Sequence, residues 1–195
     1  MFERLRAHRP LVAVVVIYYL GFLALGVTTE NGQVSFYAIF MAALVVGVAL
    51  WDSRRHFSAA VLAGLALWGG LHMAGGMVPI GDDLVLYNLW LLPFLRFDHV
   101  VHAIGFGFAG LTFWESVRPG VDLALVSGAA IAFIAGVGFG AMNEMIEFLI
   151  TRLVPDTNVG GFENTGWDLA ANTVGAAVAA TWVRRQWSRE HRRVG

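Results

Sequence analysis

The chain has 195 residues, of which 57% are hydrophobic and only 14% charged, and its formal net charge is -1. Soluble domains carry about 25% charged residues, so a separate soluble domain is excluded and the chain reads as a single transmembrane domain, 1–195. Near-neutral charge argues against nucleic acid as a partner, and the absence of cysteine excludes thiolate catalysis, Cys-ligated metal and disulfides.

In chain order, MFERLRAHRP precedes LVAVVVIYYLGFLALGV. The outline is that of a signal peptide, but an apolar run of about 17 residues exceeds the roughly 7–15 of a signal core, so a retained first span is predicted over 11–27. Further apolar runs predict spans near 34–51, 57–78, 98–117, 121–147 and 166–183. Between the third and fourth lies IGDDLVLYNLWLLPFLRF, residues 80–97. Its apolar part would be about 21 Å long as a helix, short of a hydrocarbon core of about 30 Å. Asp82 or Asp83 could cap it and Pro93 would interrupt it, which predicts a short interfacial or re-entrant segment. The expected fold class is all-α, a polytopic membrane protein of six transmembrane helices plus this segment.

All 13 basic residues are arginine, so no lysine is available for Schiff-base chemistry. With six spans and an inside N-terminus, Arg4, Arg6, Arg9, Arg54, Arg55, Arg118, Arg184, Arg185, Arg189, Arg192 and Arg193 face the cytoplasm. Only Arg96 and Arg152 face outward. That bias follows the positive-inside rule and predicts both termini in the cytoplasm. Gly136 and Gly140 in the fifth span, and Ala171 and Gly175 in the sixth, have the spacing of close helix packing.

Ionisable groups are costly at membrane depth and usually functional there. Asp98 and His102 share one face of the fourth span, one turn apart, at its outer end. The predicted orientation brings His72, Glu144, Glu147, Asp168 and Asn172 to a similar depth. The expectation is an outward-facing polar site on four helices, with Asp82, Asp83 and Tyr87 at its rim and the Gly-rich TNVGGFENTGW folding over it. Asp52, Arg54, Glu115 and Asp122, near the cytoplasmic ends, read as ordinary loop and interface charges. A buried network that fixes helix packing is the structural rival.

DHVVHAIGFG, an acidic fifth helix and WDLAANTVGA together resemble VanZ-like membrane proteins, and most of all the related YjdF-type inner-membrane proteins of unknown function. The likeness covers about residues 80–182. It rests on Asp98 and His102, on Glu144, and on Asp168, Asn172 and Gly175. Glu147 stands where VanZ-like proteins usually have Gln, and ENTGW where they often have a basic residue. The resemblance implies a bacterial cytoplasmic membrane protein, in some members linked to glycopeptide resistance, with no settled activity.

Two chemistries fit these residue types. In the first, His72, His102, Asp98 and Glu144 hold Zn²⁺ or Mn²⁺. Asp98, His102, Glu144, Glu147, Asp168 and Asn172 then form a catalytic set for hydrolysis or group transfer on a lipid-linked or amphipathic envelope substrate. A metal-free variant uses His102 as base, Asp98 as its orienter and Glu147 as acid. In the second, a non-enzymatic transporter or ligand-binding protein uses the acidic cluster to hold a cation, a proton or a head group. Membrane lipids are the expected surroundings in either case.

Overall fold

The computed structural model describes residues 1–81, 84–121, 127–153 and 160–192. Among these the helices are α1 (Phe2–Ala7), α2 (Arg9–Thr28), α3 (Val34–Arg55), α4 (Ala59–Met77), α5 (Phe97–Val117), α6 (Gly128–Leu153) and α7 (Phe162–Arg192). Asp82, Asp83, Asp122 and residues 157–159 of the Gly-rich stretch lie outside the described residues.

Helix ends follow local chemistry. Pro10 sits in the first turn of α2, where its missing N–H costs nothing. Ser58 caps α4 by accepting from Val61 N at 3.3 Å. That helix stops at Val78, whose extended backbone (φ -84, ψ 113) is what the following Pro79 requires.

Among the described residues, five helices are long and apolar enough to cross a membrane: Arg9–Thr28, Val34–Arg55, Ala59–Met77, Phe97–Gly120 (α5 with its closing 3₁₀ turn) and Gly128–Leu153. The sixth expected span corresponds to α7. Its 31 residues give it a length of about 46 Å, but Asp168, Asn172 and the arginines of its second half lower its apolarity. The all-α membrane class therefore holds, with five clear spans and one long polar-faced helix.

The described residues from 80 to 96 form no α-helix. Strands β1 (Pro79–Gly81) and β2 (Leu84–Val85) pair antiparallel, and β3 (Trp90–Leu92) pairs with β4 (Leu95–Arg96). A 3₁₀ turn at Leu86–Asn88 lies between the two ladders. Pro93, expected to interrupt a helix, occupies the tight turn between β3 and β4. Neither ladder is long enough to span.

The chain forms two compact units, Met1–Val101 and His102–Gly195; the division falls one turn into α5. The core of the first unit is Tyr37, Met41, Met73 and Met77, with Tyr18, Tyr19 and Phe22 packed on it. Its ends are tied by a clasp. Arg4 donates through Nε to Asp52 Oδ2 at 2.9 Å and through Nη2 to Asp52 Oδ1 at 2.8 Å. The same carboxylate accepts from Phe57 N at 2.9 Å, and Arg4 Nη2 also reaches Phe57 O at 2.9 Å. This fork geometry is the strong form of a charged hydrogen bond, and it raises the Arg4 pKa above its ordinary value. Asp52 is thus not an ordinary interface charge. It is 5% exposed, and Glu115, read in the same way, is 8% exposed.

In the second unit, α5, α6 and α7 approach closely at small residues. A Cβ on Gly175 would run into the carbonyl of Ala103, and one on Gly107 would come within 2.9 Å of Gly175 O. On α6, a Cβ on Gly136 would lie 2.8 Å from Phe106 O and 2.9 Å from the Ala176 methyl. Two polar residues point inward on α7: Asp168 and Asn172 share its buried stripe with Gly175, Ala176, Ala179 and Val183, while Val174, Val178 and Trp182 are exposed. Apolar outside and polar inside is the pattern a lipid solvent selects.

Candidate functional site

The polar interior of the second unit is assembled from three helices. His102, on α5, points Nδ1 at two partners: Asn172 Oδ1 on α7 at 3.1 Å and Glu144 Oε1 on α6 at 3.4 Å. An amide oxygen only accepts. With Asn172 Oδ1 assigned as acceptor, Nδ1 carries a proton. Held in this way by the Asn172 amide, the imidazole is oriented as a metal-ligating histidine is by its hydrogen-bonded neighbour.

Glu144 and Glu147, three residues apart, share a face of α6. His102, Glu144 and Glu147 can each present one ligand atom with all three atoms within 4.8 Å of one another. His102 and Glu144 are buried, at 8% and 5% exposure, and Glu147 is half-buried. Asn143 Nδ2 donates to Glu147 Oε1 at 2.6 Å, which fixes that carboxylate from the preceding turn.

On α7 the same device recurs. Asn164 Nδ2 donates to Asp168 Oδ2 at 2.5 Å, and Asn172 follows one turn later. Asp168 and Asn172 are fully enclosed, at 0% and 1% exposure. Gly140 on α6 leaves the room that the Asn172 amide fills: a Cβ there would lie 2.7 Å from Nδ2. That Nδ2 is itself buried and has no hydrogen-bond partner among the described residues. Buried donors are almost always paired, so this one marks a position where an acceptor oxygen belongs.

Of the residues singled out in the sequence, the second unit brings together His102, Glu144, Glu147 and Asn172, with Asp168 one turn from Asn172. Asp98 is in the first turn of α5, one turn before His102 on the same helix and on the first-unit side of the division. His72 also belongs to the first unit. Its Nδ1 lies 2.5 Å from Tyr87 Oη, and its ring packs among Tyr37, Phe40 and Trp68 at centroid distances of 5.1, 5.6 and 5.3 Å. Tyr87, placed at the site rim by the sequence, is therefore a partner of His72.

FENTGW is not a covering loop: α7 begins at Phe162, and this early start sets Asn164 one turn ahead of Asp168. Asn143, Asn164 and His99 are further polar residues of these helices that the sequence pattern does not flag. The two asparagines stand at i,i+4 from an acid, the spacing already used for Asp168 and Asn172. His99 is 5% exposed, and its Nδ1 accepts from Arg96 N at 3.2 Å.

Residues 10–189 match the model of a family described as predicted membrane protein (DUF2238). No curated protein and no solved structure matches the chain.

Proposed function

The chain belongs to the DUF2238 family of predicted membrane proteins, and from that premise we propose that its second unit holds a divalent cation, Zn²⁺ or Mn²⁺, for hydrolysis or group transfer on a lipid-linked or amphipathic substrate. The observation that carries this reading is the convergence of His102, Glu144 and Glu147 ligand atoms within 4.8 Å in the second unit. One imidazole and two carboxylates suit either ion. Held by His102, Glu144 and Glu147, such an ion would supply a more acidic bound water and a Lewis acid for an acyl or phosphoryl oxygen, and a carboxylate of the site would hold the proton and return it to the leaving oxygen. Asn172 Nδ2 would donate to the oxygen on which charge develops. Asp98 and Asp168 extend the acidic character along α5 and α7.

The site opens outward in this proposal, in a bacterial cytoplasmic membrane with both termini inside, on the strength of the arginine distribution. A reporter enzyme fused after Arg193 should be active only on the cytoplasmic side; periplasmic activity would reverse the orientation. The kinship with YjdF-type proteins within a VanZ-like group belongs to this proposal too, supported by Asp98 and His102 and by Asp168, Asn172 and Gly175.

A second reading draws on the amide partners. Asn143 and Asn164 each hold an acid by a direct hydrogen bond, which suits binding of a cation, proton or head group without chemistry. Metal analysis of purified protein tests the metal. We expect about one Zn or Mn per chain, lost in His102→Ala. No metal in the parent protein, with melting unchanged in His102→Ala, sinks the metal site and leaves the second reading. A melt lowered by several degrees without any metal leaves only a packing network.

A further inference from the structure

The segment between α4 and α5 has a fixed base and an apolar tip. At the base, Val85 is buried and Tyr87 lies over α4, where its hydroxyl meets His72 Nδ1. Gly75 makes that seat possible: a Cβ there would stand 2.6 Å from the Tyr87 ring. Leu86 N donates to Val78 O at 2.9 Å, and Phe97 N to Leu89 O at 2.9 Å, so both ends of the segment are tied to the ends of the flanking spans.

The tip is different. Trp90, Leu91 and Leu92 are consecutive, and successive strand residues point to opposite faces, yet all three are exposed. Trp90 is 58% exposed and Phe94, in the turn, 67%. Both faces of β3 are therefore apolar and uncovered. Arg96, the last residue of β4, stacks its guanidinium over the Trp90 ring at 5.8 Å.

We propose that the β3–β4 hairpin is a bilayer-seated lip: Trp90, Leu92 and Phe94 lie among the lipids at the boundary of head groups and acyl chains, with Arg96 at the phosphates. Three observations select lipid as the occupant. The hairpin springs directly from the ends of two apolar spans, so its surface continues theirs. A tryptophan beside an arginine is the pairing that anchors segments at this depth. A three-residue strand reaches about 10 Å, which matches the roughly 5–10 Å that interfacial segments penetrate. The hydrocarbon centre is excluded, because so short a ladder leaves backbone groups that need water or head groups. The proposal is independent of whether the second unit binds metal.

The chain has no cysteine, so Phe94→Cys and, separately, Leu92→Cys each introduce a single thiol for an environment-sensitive fluorophore. Both positions are exposed, so neither change disturbs the core. In nanodiscs holding one chain each, both labels should be quenched by lipids carrying a nitroxide near the head group more than by lipids carrying one deep in the chain. Aqueous iodide should quench them at least about threefold less than a label at Glu3→Cys, as expected for an interfacial segment. Iodide quenching equal to that at Glu3 overturns the proposal. So does shielding that appears only when several chains share a bilayer, because a second copy would then be the cover.

Discussion

Gly175→Ala is expected to dismantle the second unit. The added methyl would be driven into the Ala103 carbonyl, which is helix backbone and cannot rotate aside as a side chain would. Neighbouring contacts leave little slack, since Gly107 meets the backbone of Gly175 from the opposite helix and Ala176, the next residue, lies against Gly136. Overpacking that only helix displacement can relieve should destabilise by more than about 3 kcal/mol. Gly138→Ala on α6 is the control. A Cβ there meets nothing within 4 Å, so the usual gain of about 0.5–1 kcal/mol for Ala over Gly in a helix should appear. Thermal melts in one detergent compare the two variants. Equal melting would mean that the glycine crossing is not what holds α5 against α7.

The second large effect concerns ligand rather than packing. Glu144 keeps a carboxylate in a site 5% exposed, and desolvating a charge costs free energy that a helix interface alone has no need to spend. If the acid is there for a cation, Glu144→Gln should leave the metal-free protein as stable as the parent or more so. It should also abolish stabilisation by added metal, which at 100 times the dissociation constant amounts to about 2.7 kcal/mol. Melts with and without Mn²⁺ or Zn²⁺ check this. A variant already less stable without metal would instead place Glu144 in the network that holds the helices together.

The spans were legible because hydrophobicity over about 20 residues is a strong, local signal. Polar residues within them were equally legible, and for that reason Asp98, His102, Glu144, Glu147, Asp168 and Asn172 could all be singled out from sequence. What escaped was of three kinds. The 80–97 segment has an apolar run too short for periodicity to separate strand from helix, and two hairpins formed. The Arg4–Asp52 pair spans 48 residues, a separation at which no local pattern speaks. Asn143 and Asn164 each hold an acid one turn away, a pairing that needs the helix face and side-chain rotamers to be known. Depth along a span, the basis for naming His72, carries no information on the rings of Tyr37, Phe40, Trp68 and Tyr87 that converge on it.

The clasp at the base of the first unit also sets an order of events during synthesis. Arg4 leaves the ribosome first, but its acceptors are the side chain of Asp52 and the backbone carbonyl of Phe57. The clasp can close only after α3 has been made, and it can close before α4, which starts at Ala59, has been delivered to the membrane. The first two spans and the N-terminal turn of chain can therefore lock as a hairpin of their own, giving α4 a finished surface to join. Shortening the N-terminus past Arg4 removes the latch from the nascent chain, leaving the spans themselves untouched.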